Sequence, residues 1–180
     1  KKNHDRLEQP VLEEFARDPI ALVRVHLMRM LAERSSWDRE VSMVAERGLA
    51  DEDAFVRRAA ADAMGRHPNV RFVPALLDTW QGAAKRDTHL VHTVRLALSA
   101  HLRDRVVVAG LLIRRFDDDA SKKLLTVASV TDGDAAAPLV LYHAKPGTVS
   151  PQVIQQAGRQ IARFGTVEQL TRLIEQVPSW

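Results

Sequence analysis

The sequence predicts an all-α fold, a right-handed α-α superhelix of about five helix pairs. Two observations support this prediction. Apolar residues return every three to four positions in one segment after another, which is typical of amphipathic helices. In addition, an Asp followed by Val-Arg repeats along the chain. The signature occurs as Asp18 with Val23-Arg24, as Asp51 with Val56-Arg57, and in a third copy as Val94-Arg95.

Helices of similar length are expected between and after the signature helices. The further segments with helical periodicity are 39–49, 70–80, 106–116, 120–130, 135–144, 151–164 and 167–177. Each signature helix therefore belongs to a helix pair, and the pairing continues beyond Arg103 although the signature fades. One pair cannot bury its apolar face alone, so the pairs are expected to stack and share a continuous core.

Residues at the segment ends agree with this division. Asp18-Pro19 and Ser150-Pro151 each place a side-chain acceptor at a helix N-cap and a proline at the first helical position. Thr166 and Gln169 have the spacing of a capping box. Glycines stand where four helices should stop, namely Gly48, Gly65, Gly147 and Gly165.

Two continuous apolar runs could equally be buried strands. Residues 106–113 and 139–143 are rich in β-branched or large apolar residues. No partner strand and no Asn-Gly or Asp-Gly hairpin accompanies them, since Asp132-Gly133 joins two predicted helices. We therefore interpret both runs as buried helices.

The repeated signature resembles the HEAT repeat family. The residues that match are Asp18, Val23, Arg24 and Leu31; Asp51, Val56, Arg57, Ala60 and Met64; and Asp87, Val94, Arg95 and Leu98. The resemblance covers residues 15–102; beyond Arg103 only the rhythm of helix pairs continues, with Lys122-Lys123 in place of Val-Arg. It implies one HEAT-like domain over residues 1–180, in which each Val-Arg arginine pairs with an upstream Asp of its own or an adjoining repeat.

Three segments are also similar to a narrower group, the HEAT segment of large secreted proteins of planctomycete-type bacteria that carry a dehydrogenase-like propeller and a c-type cytochrome domain. These segments are 22–31, 53–68 and 87–95. That resemblance implies an interior module of a larger protein, with a secreted or periplasmic location and neighbouring domains as partners. The first residue, Lys1, agrees with a fragment or a processed chain.

Composition excludes several classes of protein. Without Cys the chain has no disulfide, thiolate metal site, Cys nucleophile or Cys-linked haem. No stretch approaches the ~18 apolar residues of a membrane-spanning helix, so no membrane contact is expected. The 26 basic residues are matched by 23 acidic ones, which makes the net charge of +3 a weak indication of nucleic-acid binding.

No pattern predicts catalysis, a metal site or a cofactor. His89 and His92 share a helix face with His101 roughly half a turn away, which leaves a zinc site incomplete. The acidic clusters at 117–119 and 132–134 lack calcium-loop spacing and are explained by helix N-termini. The serines lack a nucleophile-elbow context, and no glycine fingerprint for phosphate is present. We expect a protein that is not an enzyme.

The candidate partner-binding residues are the basic side chains to which no internal role is assigned, together with one signature arginine. They are Arg58, His92, Arg95, Lys122, Lys123 and Arg159. Trp37 and Trp80 are expected to pack between repeats, and Trp180 to contact a neighbouring domain.

The expected function is a non-enzymatic scaffold that binds a protein partner or neighbouring domains of the same chain along a groove lined by the second helix of each pair. An alternative is nucleic-acid binding, because the resemblance extends to HEAT-like alkylpurine DNA glycosylases, whose concave face is basic and aromatic. A third possibility, a lyase-type enzyme on a helical scaffold, requires a deep polar pocket.

Overall fold

The computed structural model describes residues 9–84, 87–144 and 150–176. Within these ranges the chain forms eleven helices and no strand, which confirms the all-α prediction. The helices are α1 Gln9–Ala16, α2 Ala21–Ala32, α3 Arg39–Leu49, α4 Ala54–Gly65, α5 Phe72–Gly82, α6 Thr88–Leu102, α7 Arg105–Leu112, α8 Asp118–Ala128, α9 Ala137–His143, α10 Pro151–Phe164 and α11 Val167–Gln176. The positions expected to end a helix at Gly147 and to contact a neighbouring domain at Trp180 lie outside the described residues.

The chain divides into two compact units, Lys1–Ala97 and Leu98–Trp180, with the boundary inside α6. In the described ranges no helix is both long enough and apolar enough to cross a membrane. The prediction of a single domain over residues 1–180 stays a prediction.

The first unit is built on contacts between successive helix pairs. Helix α4 packs on both α2 and α3, and α1 packs on the same two helices. Their apolar faces form a closed core because side chains three and four positions apart fall on one side of each helix. Large side chains from several helices are fully buried there, namely Leu27, Met28, Leu31, Met64, Phe72 and Leu76.

Two glycines of this unit lie where helices approach most closely. A Cβ atom at Gly48 would stand 2.7 Å from the Met28 sulfur and 2.9 Å from the Ala60 Cβ. A Cβ atom at Gly65 would stand 3.0 Å from the Ala97 Cα. Both residues lie at the ends of α3 and α4, as the sequence predicts, but the requirement for glycine comes from the neighbouring helix.

The second unit is arranged around α9, which contacts α7, α8, α10 and α11. Both ambiguous apolar runs are helices, α7 and α9, as predicted. For α9 the position explains the composition, since a helix with neighbours on several sides has little need of a polar face. Helix α7 is not a buried helix as expected: Val107, Val108 and Leu111 are buried, whereas Val106 is 81% exposed. Leu139 and Val140 of α9 are completely buried, as are Leu124, Leu125 and Ile161 on the surrounding helices.

Helix caps follow the sequence at two of three positions. The Ser150 hydroxyl accepts the Val153 N–H, and Thr166 and Gln169 form the reciprocal bonds of a capping box. Asp18 is not the N-cap of α2, however. That position is Ile20, whose N–H donates to the Asp18 carboxylate at 2.7 Å, so Asp18 closes a turn just before the helix.

Candidate functional site

A repeated set of polar contacts joins the helix pairs of the first unit. The Arg24 side chain is 9% exposed, and its Nε and Nη2 atoms each donate to a different oxygen of Asp51 at 2.8 Å. Its remaining nitrogen, Nη1, donates to the backbone carbonyl of Asp18 at 2.8 Å. One guanidinium therefore holds the turn before its own helix and the turn before the next signature helix.

The second signature arginine repeats part of this arrangement. Arg57 Nη1 donates to the Asp51 carbonyl at 2.7 Å, and Arg57 Nη2 lies 3.8 Å from a carboxylate oxygen of Asp87. The closer bond to Asp87 comes from the next residue, since Arg58 Nη2 donates to it at 2.7 Å. We call Asp18, Arg24, Asp51, Arg57, Arg58 and Asp87 the Arg–Asp ladder.

The ladder follows the sequence prediction with one correction. The signature arginines do pair with Asp residues, but the carboxylate belongs to the repeat downstream, not upstream. The upstream Asp contributes its backbone carbonyl instead. A signature arginine lies near the start of its helix, and its side chain extends toward whichever inter-helix turn packs against that end. Only tertiary packing determines which turn that is.

The Asp51 and Asp87 carboxylates of the ladder accept hydrogen bonds that favour their charged forms. Burial raises the pKa of Asp51, but hydrogen bonds from Arg24 and from the Asp53 N–H outweigh it and hold that pKa below its usual value of 3.8. The same holds for Asp87: burial is outweighed by hydrogen bonds from the Leu90 N–H and Arg58, which lower its pKa.

The third Val-Arg copy is out of register with the first two. Arg24 and Arg57 each stand four positions after an N-cap residue, Ile20 and Asp53 respectively. In α6 the capping contacts come from Asp87, so the fourth position is Val91, and Arg95 lies one helical turn further on. Arg95 is exposed, and its guanidinium lies 5.7 Å from the centre of the Trp80 ring.

Three predicted partner-binding residues lie in the first unit, Arg58, His92 and Arg95. Arg58 has an internal role that the sequence did not assign, because it pairs with Asp87 and lies 5.3 Å from the Phe55 ring. His92 and Arg95 are exposed on α6. His92 occupies the position in α6 that Arg58 occupies in α4, five residues after the respective cap.

Exposed side chains recur at one equivalent position of α2, α4 and α6. Leu22 and Phe55 stand at equivalent positions, two residues after their N-caps, on the contacting helices α2 and α4. They are 61% and 66% exposed, respectively. His89, also exposed, takes the equivalent place on α6. We call Leu22, Phe55 and His89 the exposed row.

An aromatic cluster around Trp37 packs in the first unit. Trp37 stacks on His67 with ring centres 4.3 Å apart, meets Phe72 edge-on, and donates from Nε1 to the Leu31 carbonyl at 2.8 Å. Burial lowers the pKa of His67 below 6.5, against the smaller effect of backbone carbonyls of Ala32 and Leu31 that favour the charged form. Trp37 thus packs within the unit, as expected.

The remaining predicted residues, Lys122, Lys123 and Arg159, lie in the second unit. Lys123 pairs with Asp119 one turn earlier on α8, whereas Lys122 is exposed. Arg159 lies on α10 at a depression of about 190 Å³ between α10 and the segment that follows α8. Neither lysine lines this depression.

Two further residues of the depression were not identified from the sequence. Arg163 stands one turn after Arg159, and Gln160 is 5% exposed on the otherwise apolar inner face of α10 beside Ala157 and Ile161. The spacing of Gln156, Arg159 and Arg163 was the available signal, because residues three and four apart share a helix face.

The histidines considered for a metal site are not brought together with acidic side chains. His89 and His92 are exposed on α6, while His101 is fully buried. Across residues 9–84, 87–144 and 150–176, no three His, Asp or Glu side chains converge in a way that could hold a metal ion.

No protein-family model matches the sequence, and no curated protein is significantly similar to it.

Proposed function

We propose that this chain is a HEAT-like repeat protein, a right-handed α-α superhelix of about five helix pairs that acts as a non-enzymatic scaffold for a protein partner or for neighbouring domains. The observation that supports this proposal most directly is the Arg–Asp ladder. Arg24 and Arg57 stand at the same helix position, donate to the carbonyl six residues earlier, and reach the Asp of the next turn. A contact that recurs in register is typical of stacked repeats.

The ladder arginines are structural in this proposal. Each nitrogen of the Arg24 guanidinium donates a hydrogen bond, and Arg58 pairs with Asp87, so both groups are held by contacts within the unit. The exposed row is the proposed partner surface, because it combines large exposed side chains at equivalent helix positions. Burying a large apolar side chain such as Phe55 in an interface is worth about 1.5–3 kcal/mol, and aromatic residues are over-represented among interface hot spots.

The exposed row can be tested against a matched exposed apolar residue elsewhere. We expect Phe55→Asp and Leu22→Asp to abolish capture of a specific partner from the source lysate. Met43→Asp should leave capture intact, because Met43 is 46% exposed but belongs to α3, the first helix of its pair. Identical capture by all three variants and the unmodified protein would contradict the proposed surface.

Circular dichroism of each variant controls for folding. The side chains at these three positions are 46–66% exposed, so the helical signal should be unchanged. Cross-linking followed by mass spectrometry then locates the captured partner relative to α2 and α4.

Nucleic-acid binding is the second candidate function, and the exposed Arg95 beside Trp80 is the observation that favours it. A base could stack on such a ring while the guanidinium contacts a phosphate. Fluorescence anisotropy with labelled single- and double-stranded DNA tests the idea. Several phosphate contacts predict affinity that falls steeply with salt and drops further in Arg95→Gln. Undetectable binding at low salt would remove this candidate.

A further inference from the structure

The depression in the second unit has two walls of different chemistry. One wall is α10, which contributes Arg159, Gln160, Arg163 and Phe164. The other is the segment after α8, which contributes Asp132. The volume of about 190 Å³ leaves room for several water molecules. A four-carbon organic acid fits this space.

The α10 wall carries two cationic groups. Arg159 and Arg163 are both exposed, and neither forms an ion pair within the part of the chain that the structure describes. Like charges one turn apart on a helix repel each other, and an anion held between the two guanidinium groups reduces this repulsion. Guanidinium groups bind carboxylates with two parallel N–H donors, and Arg163 is further positioned at 4.8 Å from the Phe164 ring.

Gln160 adds a buried acceptor at the base of the same wall. Its Nε2 donates to the Gly133 carbonyl at 3.0 Å, which assigns the orientation of the amide. Its Oε1 is buried and accepts no hydrogen bond. A buried acceptor without a donor is unfavourable, so a group that donates to Oε1 is favoured there. The Asp132 carboxylate at the rim is a second acceptor.

We propose that this cavity binds a small carboxylic acid that also carries a hydroxyl or amino donor. Its carboxylate lies between Arg159 and Arg163, and its donor meets Gln160 Oε1. The site belongs to the second unit alone and is independent of the proposed scaffold function, which rests on α2, α4 and the Arg–Asp ladder.

L-malate and succinate are suitable probes because they differ by one hydroxyl group. Isothermal titration calorimetry at fixed low ionic strength is expected to give L-malate at least a fivefold lower Kd than succinate. The double variant Arg159→Gln/Arg163→Gln should weaken both acids more than tenfold. Gln160→Met, which keeps the size of the side chain but lacks the acceptor, should remove the preference for L-malate.

Arg172→Gln is the matched control, since Arg172 is an exposed arginine on α11 that pairs with Glu168 and does not line the cavity. It should bind both acids like the unmodified protein. The arginine variants change only exposed side chains, so they remain informative if Gln160→Met fails to fold.

Three results would overturn the proposal. The first is no saturable binding of either acid. The second is binding that survives loss of both arginines. The third is equal affinity for L-malate, succinate and inorganic phosphate, which would indicate a simple anion site in which water satisfies Gln160.

Discussion

Arg24 and Asp51 form a two-pronged ion pair across 27 residues of sequence, with both N–H···O contacts at 2.8 Å and both side chains largely shielded from solvent. The pair joins α2 to the turn that precedes α4. Because a bidentate guanidinium-carboxylate contact has one preferred geometry, it restricts how the second helix pair is placed on the first. The stability of the first unit should therefore depend strongly on this pair.

Substitution Asp51→Asn tests this dependence. It removes the bidentate carboxylate from Arg24 and leaves the exposed Glu52 carboxylate, 3.7 Å from Nη2, as the nearer anionic group, so we expect the free energy of unfolding to fall by about 2–4 kcal/mol. Urea denaturation followed by circular dichroism measures the change. Glu33→Gln is the control, since the Glu33–Arg66 pair is exposed on both sides and should cost less than about 1 kcal/mol. Equal losses in the two variants would refute the structural role of Asp51.

Acid stability should reflect the same carboxylates. The folded-state pKa of Asp51 and of Asp87 lies below 3.8. Between that folded-state pKa and 3.8, the unfolded chain therefore binds more protons than the folded chain. The stabilisation is complete above the unfolded-state pKa and is lost as the pH falls through the folded-state value. We expect the free energy of unfolding to drop below about pH 4, and less steeply in Asp51→Asn. Asp78→Asn, which changes an exposed side chain of α5, should keep the original slope.

The lowered pKa of His67 predicts that the free energy of unfolding also depends on pH in a higher range. Burial lowers its folded-state pKa below 6.5, so between that pKa and 6.5 the unfolded chain binds the proton more readily. Stability is therefore retained above 6.5 and falls as the pH drops below it. His67→Gln should reduce this slope, measured by urea denaturation between about pH 7.5 and 5.5. His26→Gln, an exposed position on α2, should not; a change of equal size there would rule out His67 as the cause.

The close approach of Ala97 on α6 to Gly65 predicts that a larger side chain at Gly65 lowers stability. A valine there places its Cβ 3.0 Å from the Ala97 Cα, and backbone atoms cannot move aside as a flexible side chain can. We expect Gly65→Val to lower the free energy of unfolding by about 1–3 kcal/mol. Gly82→Val, at the end of α5 with no atom within 4 Å of the added Cβ, is the matched control. If thermal unfolding shifts equally in both, the close approach has no energetic consequence.

Much of the helical architecture was predictable because it depends on neighbouring residues. The segments 39–49 and 151–164 match α3 and α10 at both ends, and the apolar runs around Val107 and Leu139 are helices as predicted. Asp18 is the local exception. The Asp-Pro pattern indicates a cap, yet Ile20 takes that position because the Asp18 carboxylate binds the N–H two residues later.

The candidate sites were less predictable because their atoms come from separate parts of the chain. Nothing near Arg58 in sequence indicates that it pairs with Asp87, 29 residues away. The cavity residue Gln160 likewise donates to the Gly133 carbonyl, 27 residues away. Only α10 carried a local sign of the cavity, namely the spacing of Gln156, Arg159 and Arg163 on one helix face.

The order and type of the helices from α2 onward were thus determined by the sequence alone, because periodicity and capping act within one or two turns of a residue; α1, Gln9–Ala16, was not predicted. Tertiary packing decided which Asp each signature arginine reaches, why Gly65 must be glycine, and that Arg159, Gln160 and Arg163 line one cavity. Those outcomes depend on the distance and rotation between helices, which many weak side-chain contacts set together and no short sequence pattern records.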